Sequence, residues 1–502
     1  MTSPRLPAAA PTPWPNCAQG VGPDDPIGCR GHRIEPHGRC LRHLADRERT
    51  AYFSGLGPGS AVDVRGTELD APLLTQLLEA LRDPSTRGVR LGYADFRAAI
   101  FKGPADFRTA TFESTADFRT ATFKVTANFV SVTFKGNAWF GSAVFEGVAW
   151  FELTIFTGVA GFASATFKRE AAFVAPIFED AAEFELATFE GYTDFRTAIF
   201  KGDARFGSAI FKGDARFTSV SFNDAVFKSA LFEGNAWFRS TVFEGSARYG
   251  LATFEGDADF RAALFKGNVR FTSTAFKRSA GLGPLVCAGQ VTLSGAVFSG
   301  PVTITIAARR LECWRTHWSS TAALQLRYAT VDFAHAVFEY PLTIAAEPDA
   351  FRLSDGTSVD EQILSNTPDA MVQMASLRGV DAAHLVLADI NLSRCLFTGT
   401  VHVDQLRLEG NCSFEAVPPR THWRKGRPVR FTRRRTLAEE HHWRAGRPHE
   451  VRGWNTAVLG AEHVGPAQLA PVYRALRKSL EDGKNRAGGR RLLLRRDGNA
   501  AS

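Results

Sequence analysis

Three cysteines and one histidine lie close together near the amino terminus. Cys17, Cys29, Cys40 and His43 are separated by eleven, ten and two residues. Three thiolates and an imidazole form a Cys₃His set that suits tetrahedral zinc, and the short step from Cys40 to His43 resembles a zinc-knuckle turn. Because the segment is small and rich in Pro and Gly, a metal would supply folding energy that its own core lacks. The sequence predicts a structural zinc site, and unrelated reduced cysteines are the alternative.

A second polar group, Glu439 and Glu440 followed by His441 and His442, lies in a basic part of the chain. The sequence places no nucleophile or third metal ligand beside it, so we expect a solvent-exposed group. The run GLGPG at residues 55–59 lacks the spacing of a phosphate-binding loop and indicates a turn. No catalytic constellation is present, and we expect a protein that is not an enzyme.

The elements that must position these residues are dominated by one repeat. From Phe96 to Phe276 an aromatic residue recurs at alternating steps of five and six, except that Phe222, Phe227 and Phe232 follow at consecutive steps of five, and all of these aromatics except Tyr249 are Phe. Ala usually lies two residues before the aromatic, hence on the same face of an extended segment. A helix would need apolar steps of three and four, and a single strand steps of two. The spacing predicts a coil of short strands and corners, with Ala and Phe inside and about 22 residues over four faces in each turn.

The eleven-residue unit, as in ADFRTATFEST, resembles the pentapeptide-repeat family in a Phe-rich, actinobacterial form. The resemblance implies an all-β solenoid, a right-handed quadrilateral β-helix in which residues i and i−2 face the interior. Glycines at alternate corners, among them Gly136 and Gly147, are expected to supply positive φ. Some members of that family are acidic rods that resemble DNA and bind type II topoisomerases, so interaction with a topoisomerase such as gyrase is a weaker implication.

Two helices are expected outside the repeat. Residues 71–83 place five leucines at helical spacing, and this helix would cap the open first coil, with a partner-binding helix as the alternative. Residues 466–482 form a second amphipathic pattern, and their YRALRK sequence resembles a helix that precedes membrane spans in actinobacterial relatives. The predicted organisation is a disordered lead (1–13), a small zinc-binding segment with its capping helix (14–91), a regular β-helix (92–278), an irregular β-helical continuation with a loop at 348–369 (279–418), and a basic tail that contains the second helix (419–502).

The outer surface of the repeat is nearly neutral. From Arg97 to Arg278 the chain has 21 Lys and Arg against 20 Asp and Glu, so it lacks the negative field that DNA mimicry would need. Trp139, Trp150 and Trp237 are expected to point outward, where an exposed Trp is a candidate protein interface. Packing beneath a neighbouring loop would explain them equally well.

The carboxyl-terminal segment is basic, with 20 Lys and Arg against 7 Asp and Glu from Arg420 to Ser502. Aromatic residues interrupt the cations, a pattern that suits a nucleic acid or an anionic membrane surface. A solvated tail is the alternative. The candidate contact residues are Arg424, Lys425, Arg433, Arg434 and Arg435.

The chain contains no run of eighteen apolar residues, and its amino terminus lacks the apolar region of a secretory signal. Seven cysteines in 502 residues then indicate thiols or ligands more than disulfides, and we expect a cytoplasmic location with at most peripheral membrane contact. The expected function is a scaffold for protein–protein interaction with an unidentified partner. Binding of nucleic acid or membrane through the tail is the alternative.

Overall fold

The computed structural model describes residues 13–23, 25–353, 355–366, 370–417, 421–424, 427–430, 434–446, 454 and 464–482, of which 421–424 and 427–430 are described by their backbone alone. The chain divides into two compact units, Met1–Trp237 and Phe238–Ser502, and each is described by itself.

The first unit is a coil of two-residue strands that pair in parallel with the strands one turn away. Ala127 pairs with Ala149, 22 residues further along the chain, so each turn has four faces. We number the faces one to four in chain order from the strand Ala94–Asp95.

The strands of the first unit fall into four rows. Face one contains Val62–Asp63, Ala94–Asp95, Ala116–Asp117, Ala138–Trp139, Ala160–Gly161, Ala182–Glu183, Ala204–Arg205 and Ala225–Val226. Face two contains Glu68–Leu69, Ile100–Phe101, Thr122–Phe123, Val144–Phe145, Thr166–Phe167, Thr188–Phe189, Ile210–Phe211 and Leu231–Phe232. Face three contains Ala105–Asp106, Ala127–Asn128, Ala149–Trp150, Ala171–Ala172, Thr193–Asp194, Ala215–Arg216 and Ala236–Trp237. Face four contains Arg90–Leu91, Thr111–Phe112, Thr133–Phe134, Ile155–Phe156, Ile177–Phe178, Ile199–Phe200 and Ser221–Phe222.

Phe rings fill the interior of the coil. Phe145 and Phe167 stack with centroids 4.6 Å apart and planes 1° apart, because the same position recurs one turn later. Phe140 meets Phe151, from the opposite face, edge to face at 5.4 Å and 87°. Both geometries are favourable for aromatic pairs. The predicted all-β solenoid with Phe and Ala inside is confirmed.

The corners differ from the expectation. Positive φ falls on non-glycine residues two positions after the Phe of faces one and three, for example Ser131, Ser142 and Leu153 at 55–56°. The expected glycines have no such φ. A Cβ on Gly136 would lie 2.6 Å from the backbone of Ser114 in the preceding turn, so glycine serves close approach between turns there.

Two helices lie in the amino-terminal part of the first unit, α1 (Asp46–Ser54) and α2 (Ala71–Ala80), and α2 contacts both α1 and the strand Ala105–Asp106. Helix α2 begins where the Asp70 carboxylate accepts a hydrogen bond from the Leu73 amide at 3.0 Å. It buries Leu73, Leu74, Leu77 and Leu78. Helix α1 buries no residue and has no apolar stripe that the sequence could have revealed.

The second unit begins with the same short strands and continues with longer ones, since the corners between some faces straighten into continuous extended chain. Its strands are Val242–Phe243, Ala247–Arg248, Thr253–Phe254, Ala258–Asp259, Leu264–Phe265, Val269–Arg270, Ala275–Phe276, Ala280–Thr292, Val297–Phe298, Val302–Glu312, His317–Trp318, Ala322–Arg327, Thr330–Asp332, Val337–Phe338, Leu342–Ala346, Gln373–Ser376, Leu385–Ala388, Arg407–Glu409, Glu415–Ala416, Thr421–Arg424, Arg427–Arg430 and Arg435–Thr436. In the later turns the period shortens, and His317 pairs with Val297 and with Val337.

The polar interruption after Ala346 packs against this coil. Phe351 and Leu364 are buried against Val286 and Ala307. The Arg327 guanidinium lies 2.9 Å from the Glu361 carboxylate, and both side chains are less than a tenth exposed. The segment is therefore joined to the coil by an apolar contact and a buried ion pair.

Two helices, α3 (Ala438–Ala445) and α4 (Pro466–Asp482), lie in the carboxyl-terminal part of the second unit. Helix α4 contacts the last coil, where the Lys478 ammonium lies 2.9 Å from Asp404 and the Ser479 hydroxyl donates to the Leu406 carbonyl. Its buried face includes Leu469, Tyr473, Leu476 and Leu480. Among the described helices, none is both long and apolar enough to cross a bilayer.

The expectation of a solvent-exposed Glu-Glu-His-His group is wrong. Glu439, Glu440 and His441 are buried in helix α3, with at most 4% of each exposed. The Glu439 carboxylate accepts the backbone amides of Phe397 and Thr398, while Glu440 accepts from Tyr473 at 2.6 Å. These partners are distant in sequence, so a local reading of the four residues could not find them.

Candidate functional site

Two short backbone features bring the Cys/His cluster together. The Cys17 amide donates to Gly31 at 2.8 Å and the Cys29 amide donates to Gln19 at 2.9 Å, which aligns the two cysteines on neighbouring extended segments. Cys40 precedes a single 3-10 turn, Leu41–His43, and the His43 amide donates back to the Cys40 carbonyl at 2.9 Å. The turn places both ligands of the Cys-x-x-His step on one side.

The four ligand atoms lie within 4.8 Å of one another. The His43 Nδ1 is 3.4 Å from the sulfurs of both Cys17 and Cys40, and the Cys29 and Cys40 sulfurs are 3.7 Å apart. A tetrahedral ion with bonds of about 2.3 Å to sulfur and 2.0–2.1 Å to nitrogen needs ligand separations of roughly 3.5–3.8 Å. The cluster therefore has the size of a metal-binding tetrahedron and could hold a metal ion.

The protonation of the cluster favours thiolate ligands. A hydrogen bond from the Cys40 thiol lowers the pKa of Cys29 to about 5, since the shared proton stabilises the Cys29 thiolate. The same contact raises the pKa of Cys40. One thiolate thus forms readily in the cluster, and a cation would favour loss of the remaining thiol protons.

Gly31 makes room for the cluster. A Cβ at this position would lie 2.7 Å from the Cβ of Cys40 and 2.9 Å from its sulfur. Any larger residue would displace Cys40 from the other ligands, which links this glycine to the site.

The cluster is joined to the first turn of the coil. The His32 amide donates to the Arg65 carbonyl at 2.7 Å, and the Arg42 guanidinium lies 2.6 Å from the Glu68 carboxylate. Leu41 and Leu44, which are close to Arg42 in sequence, are buried. A metal at this site would therefore fix the end of the coil as well as its own loops.

The three tryptophans predicted as an interface do not form one patch. Trp139 lies on face one, half-buried, with its ring over Gly161 of the next turn, where a Cβ would lie 2.5 Å from the ring. Trp150 and Trp237 lie on face three, because each is half a turn out of phase with Trp139; Trp150 follows it by eleven residues. Trp150 is 37% exposed and Trp237 is half-buried, and Ala172, Asp194 and Arg216 separate them along that face.

The predicted basic contact residues lie in different environments. Arg434 is not a free surface cation, because its guanidinium is 10% exposed and lies 2.9 Å from the Glu440 carboxylate. The Arg435 guanidinium lies over the Phe414 ring at 5.9 Å. Arg424 is in the strand Thr421–Arg424, of which the backbone alone is described, and Lys425 and Arg433 lie outside the described residues.

The charges on the outside of the coil largely satisfy one another. Lys135 lies 2.6 Å from Glu113 and Lys124 lies 2.9 Å from Glu146, each pair joining adjacent turns. Within a turn, Asp117 binds Arg119 across the intervening Phe. This explains the recurring Asp-Phe-Arg sequence as a local ion pair.

One surface residue was missed by the sequence reasoning. Leu153 is 58% exposed at a positive-φ corner of face three, three residues after Trp150. The corresponding corners carry mostly Ser, Thr or Ala. A leucine at a corner where Ser, Thr or Ala is usual was the signal in the sequence that could have identified Leu153.

Comparison with protein families agrees with the fold. Residues 173–221 and 195–242 match a family model described as pentapeptide repeats in nine copies. Searches of curated proteins and of solved structures gave no match. The matched residues have the same 22-residue pairing and inward Phe and Ala as the turns that precede them. Residues 173–242 are therefore pentapeptide repeats, and the turns before them have the same architecture.

Proposed function

We propose that the chain is a non-enzymatic scaffold that binds a protein partner on face three of its regular coil. The observation that carries this proposal is the exposure of Trp150 and Leu153 on the same face. On that face, Trp150 pairs with Asn128 and Ala172, which carry no charge. The apolar patch lies between turns whose Asp and Arg residues pair with each other, as Asp106 does with Arg108 and Asp194 with Arg196.

The composition of the patch suits protein recognition. Exposed Trp beside aliphatic side chains supplies apolar area that becomes dry on binding, and a surrounding ring of polar groups excludes water. Binding through the basic carboxyl-terminal region has less support, because Arg434 is already engaged by Glu440.

A pair of matched variants tests this proposal. Leu153→Asp places a charge in the patch, while Leu186→Asp makes the same change at an equally exposed positive-φ corner of face one. Affinity capture with the full chain should recover a partner with the wild type and with Leu186→Asp, but not with Leu153→Asp. If the two variants recover the same proteins as each other, face three is not the binding surface.

We further propose that the ion held by Cys17, Cys29, Cys40 and His43 is zinc in a structural role. Thiolate and imidazole ligands in a closed set of four suit zinc and leave no open position for chemistry. The buried contacts of this segment with the first turn support a role in fixing the end of the coil.

Metal analysis of the purified full chain tests the zinc proposal. The wild type should contain about one equivalent of zinc, as one four-ligand site binds one ion. Cys40→Ser should fall below half of the wild-type content, while Cys412→Ser, which changes a half-buried cysteine outside the cluster, should not change it. Equal zinc in both variants, or none in the wild type, would contradict the proposal.

A further inference from the structure

A polar groove of about 700 Å³ opens on the outer side of the second unit. Its floor is formed by parallel strands, in which Glu312 pairs with Thr292 and with Asp332, and Asp332 pairs with Ser376. Ser376 is bridged in turn to Leu396. Five successive turns at a spacing of about 4.8 Å make a floor roughly 19 Å long. The groove is therefore long enough for an extended ligand.

The groove is basic. Four guanidinium groups line it, those of Arg309, Arg310, Arg378 and Arg394, against the carboxylates of Glu312 and Asp332. Arg310 is paired with Glu312 at 2.9 Å. Arg309 and Arg394 are exposed, and within the described part of the chain they have no ion-pair partner. Two cations are thus available to an anionic ligand, and Arg binds carboxylates through two parallel hydrogen bonds.

The groove also carries hydrogen-bonding groups that suit hydroxyls. The side chains of Thr330, Gln373 and Ser376 also line the groove. Asp332 accepts the Ala334 amide at 2.9 Å and retains oxygen lone pairs for a further donor. A ligand with hydroxyl donors would satisfy these acceptors, Asp332 among them.

One indole ring, that of Trp314, lines the groove. Trp314 is 44% exposed, and the Arg315 guanidinium lies over one face of its ring at 4.3 Å from the centroid, so a ligand would contact the other, exposed part of the ring. A single-stranded nucleic acid needs several aromatic rings for successive bases. A single ring is enough for the apolar face of one sugar.

We propose that this groove binds an acidic oligosaccharide, a chain of sugar rings that carry carboxylates. Arg309 and Arg394 pair with the carboxylates, Asp332 and its polar neighbours accept from the hydroxyls, and Trp314 packs on one ring. This site is separate from the Leu153 patch, so neither proposal depends on the other.

Calorimetric titration of the full chain with a galacturonate tetramer tests the inference. The wild type should bind it and should not bind a galactose tetramer, which has the same hydroxyls without carboxylates. The double variant Arg309→Ala/Arg394→Ala should weaken binding about tenfold or more, since each charge-assisted hydrogen bond contributes strongly. Trp314→Ala should also weaken it.

The matched control is Arg278→Ala/Arg352→Ala, which removes two exposed guanidinium groups of the same unit from outside the groove. It should bind as the wild type does, and the thermal unfolding midpoints of both double variants should equal that of the wild type. The inference is overturned if the wild type does not bind the galacturonate, if both double variants bind equally, or if a short single-stranded DNA binds more tightly and depends on the same residues.

Discussion

The interior side chains of the first unit act through repetition of one contact. Phe167 has no exposed surface and stacks on Phe145 at 4.6 Å and on Phe189 at 4.8 Å. It also meets Phe173 edge to face at 5.9 Å. Each ring thus contacts the turns on both sides of its own, so its removal would weaken the packing of both.

Phe167→Ala should lower the free energy of unfolding by about 3–5 kcal/mol, because it removes a buried ring and leaves a cavity between two turns. The measurement is the denaturant midpoint of the full chain. Val125→Ala, at a residue that is 40% exposed, should change stability by less than about 0.5 kcal/mol. Equal midpoints for the two variants would show that the stacked rings are not the main stabilising contact.

At this scale the sequence was informative about the interior and about the Cys/His cluster. The step of five and six predicted which residues face inward, and the Cys40–His43 step placed together two groups that could hold a metal ion. It was less informative about the surface. Trp139 and Trp150 are eleven residues apart, and half a turn of a 22-residue coil places them on opposite faces. The prediction of one interface from these tryptophans did not take this half-turn offset into account.

Helix α3 joins the last coil to helix α4 through two adjacent glutamates in unlike environments. Burial raises the pKa of Glu439, and the hydrogen bonds it accepts offset part of that rise. Burial acts on Glu440 in the same direction, but the Arg434 guanidinium, with the hydrogen bonds from Tyr473 and Arg444, outweighs it and the pKa of Glu440 is lowered. The ionised form is therefore unfavourable at Glu439 and favourable at Glu440.

The two glutamine variants should consequently differ at pH 7. Glu440→Gln should destabilise the second unit by about 3–5 kcal/mol, because it leaves the buried Arg434 and Arg444 guanidinium groups without their anion. Glu439→Gln keeps an oxygen that accepts the Phe397 and Thr398 amides and removes a buried charge, so it should be neutral or stabilising. Thermal unfolding of the two variants distinguishes these outcomes, and a similar loss in both would contradict the assignment.

The pH dependence follows from the signs of the two pKa shifts. The Glu440 contribution is present above the unfolded pKa of about 4.5 and is lost as pH falls through its lower folded pKa. The Glu439 penalty is present above its raised folded pKa and disappears as pH falls toward 4.5. Stability profiles of wild type and Glu439→Gln should therefore converge on acidification, while Glu440→Gln should approach the wild type only below about pH 4.5.

Element-level prediction succeeded where a pattern was local. Helix α2 was expected from its leucines and ends three residues earlier than predicted, at Ala80. The buried α3 cluster was missed because its partner Tyr473 lies 33 residues beyond Glu440. Helix α1 was missed because its apolar residues, Ala51, Tyr52 and Phe53, are consecutive and form no stripe along one side of a helix.

The first unit as a whole is modular. Each turn pairs only with its neighbours, so its stability resembles a sum over adjacent turns. The register of Ala182 with Ala204 shows that residues one turn apart occupy equivalent positions. Removal of one full turn would join equivalent positions to each other.

Deletion of residues 185–206 should therefore leave a folded coil, because Phe184 would then be followed by Gly207 in the position of Glu185. Far-UV circular dichroism and limited proteolysis should show a protected coil of slightly lower stability. Deletion of residues 185–192 removes part of a turn and moves Phe residues off the interior, so it should yield a protease-sensitive protein. Equal protection of the two deletion variants would contradict this modular description.

The fold of the molecule was predictable because a short-period repeat specifies every turn in the same way. The groove of the second unit was not, since Arg309, Asp332 and Arg394 come together only through pairing of strands that are not regular in sequence. Where the length of the repeat changes, residue numbers alone no longer predict which residues are neighbours in adjacent turns.

The positive-φ corners bear on how the protein could be engineered. Residues such as Ser131, Leu186 and Ser208 hold a backbone conformation that costs L-amino acids about 1–2 kcal/mol each. Glycine adopts it without that cost, although it also increases the freedom of the unfolded chain. Substitution of these residues by glycine would therefore be a way to raise stability at about every eleventh position of the surface. It would leave all the interior rings unchanged.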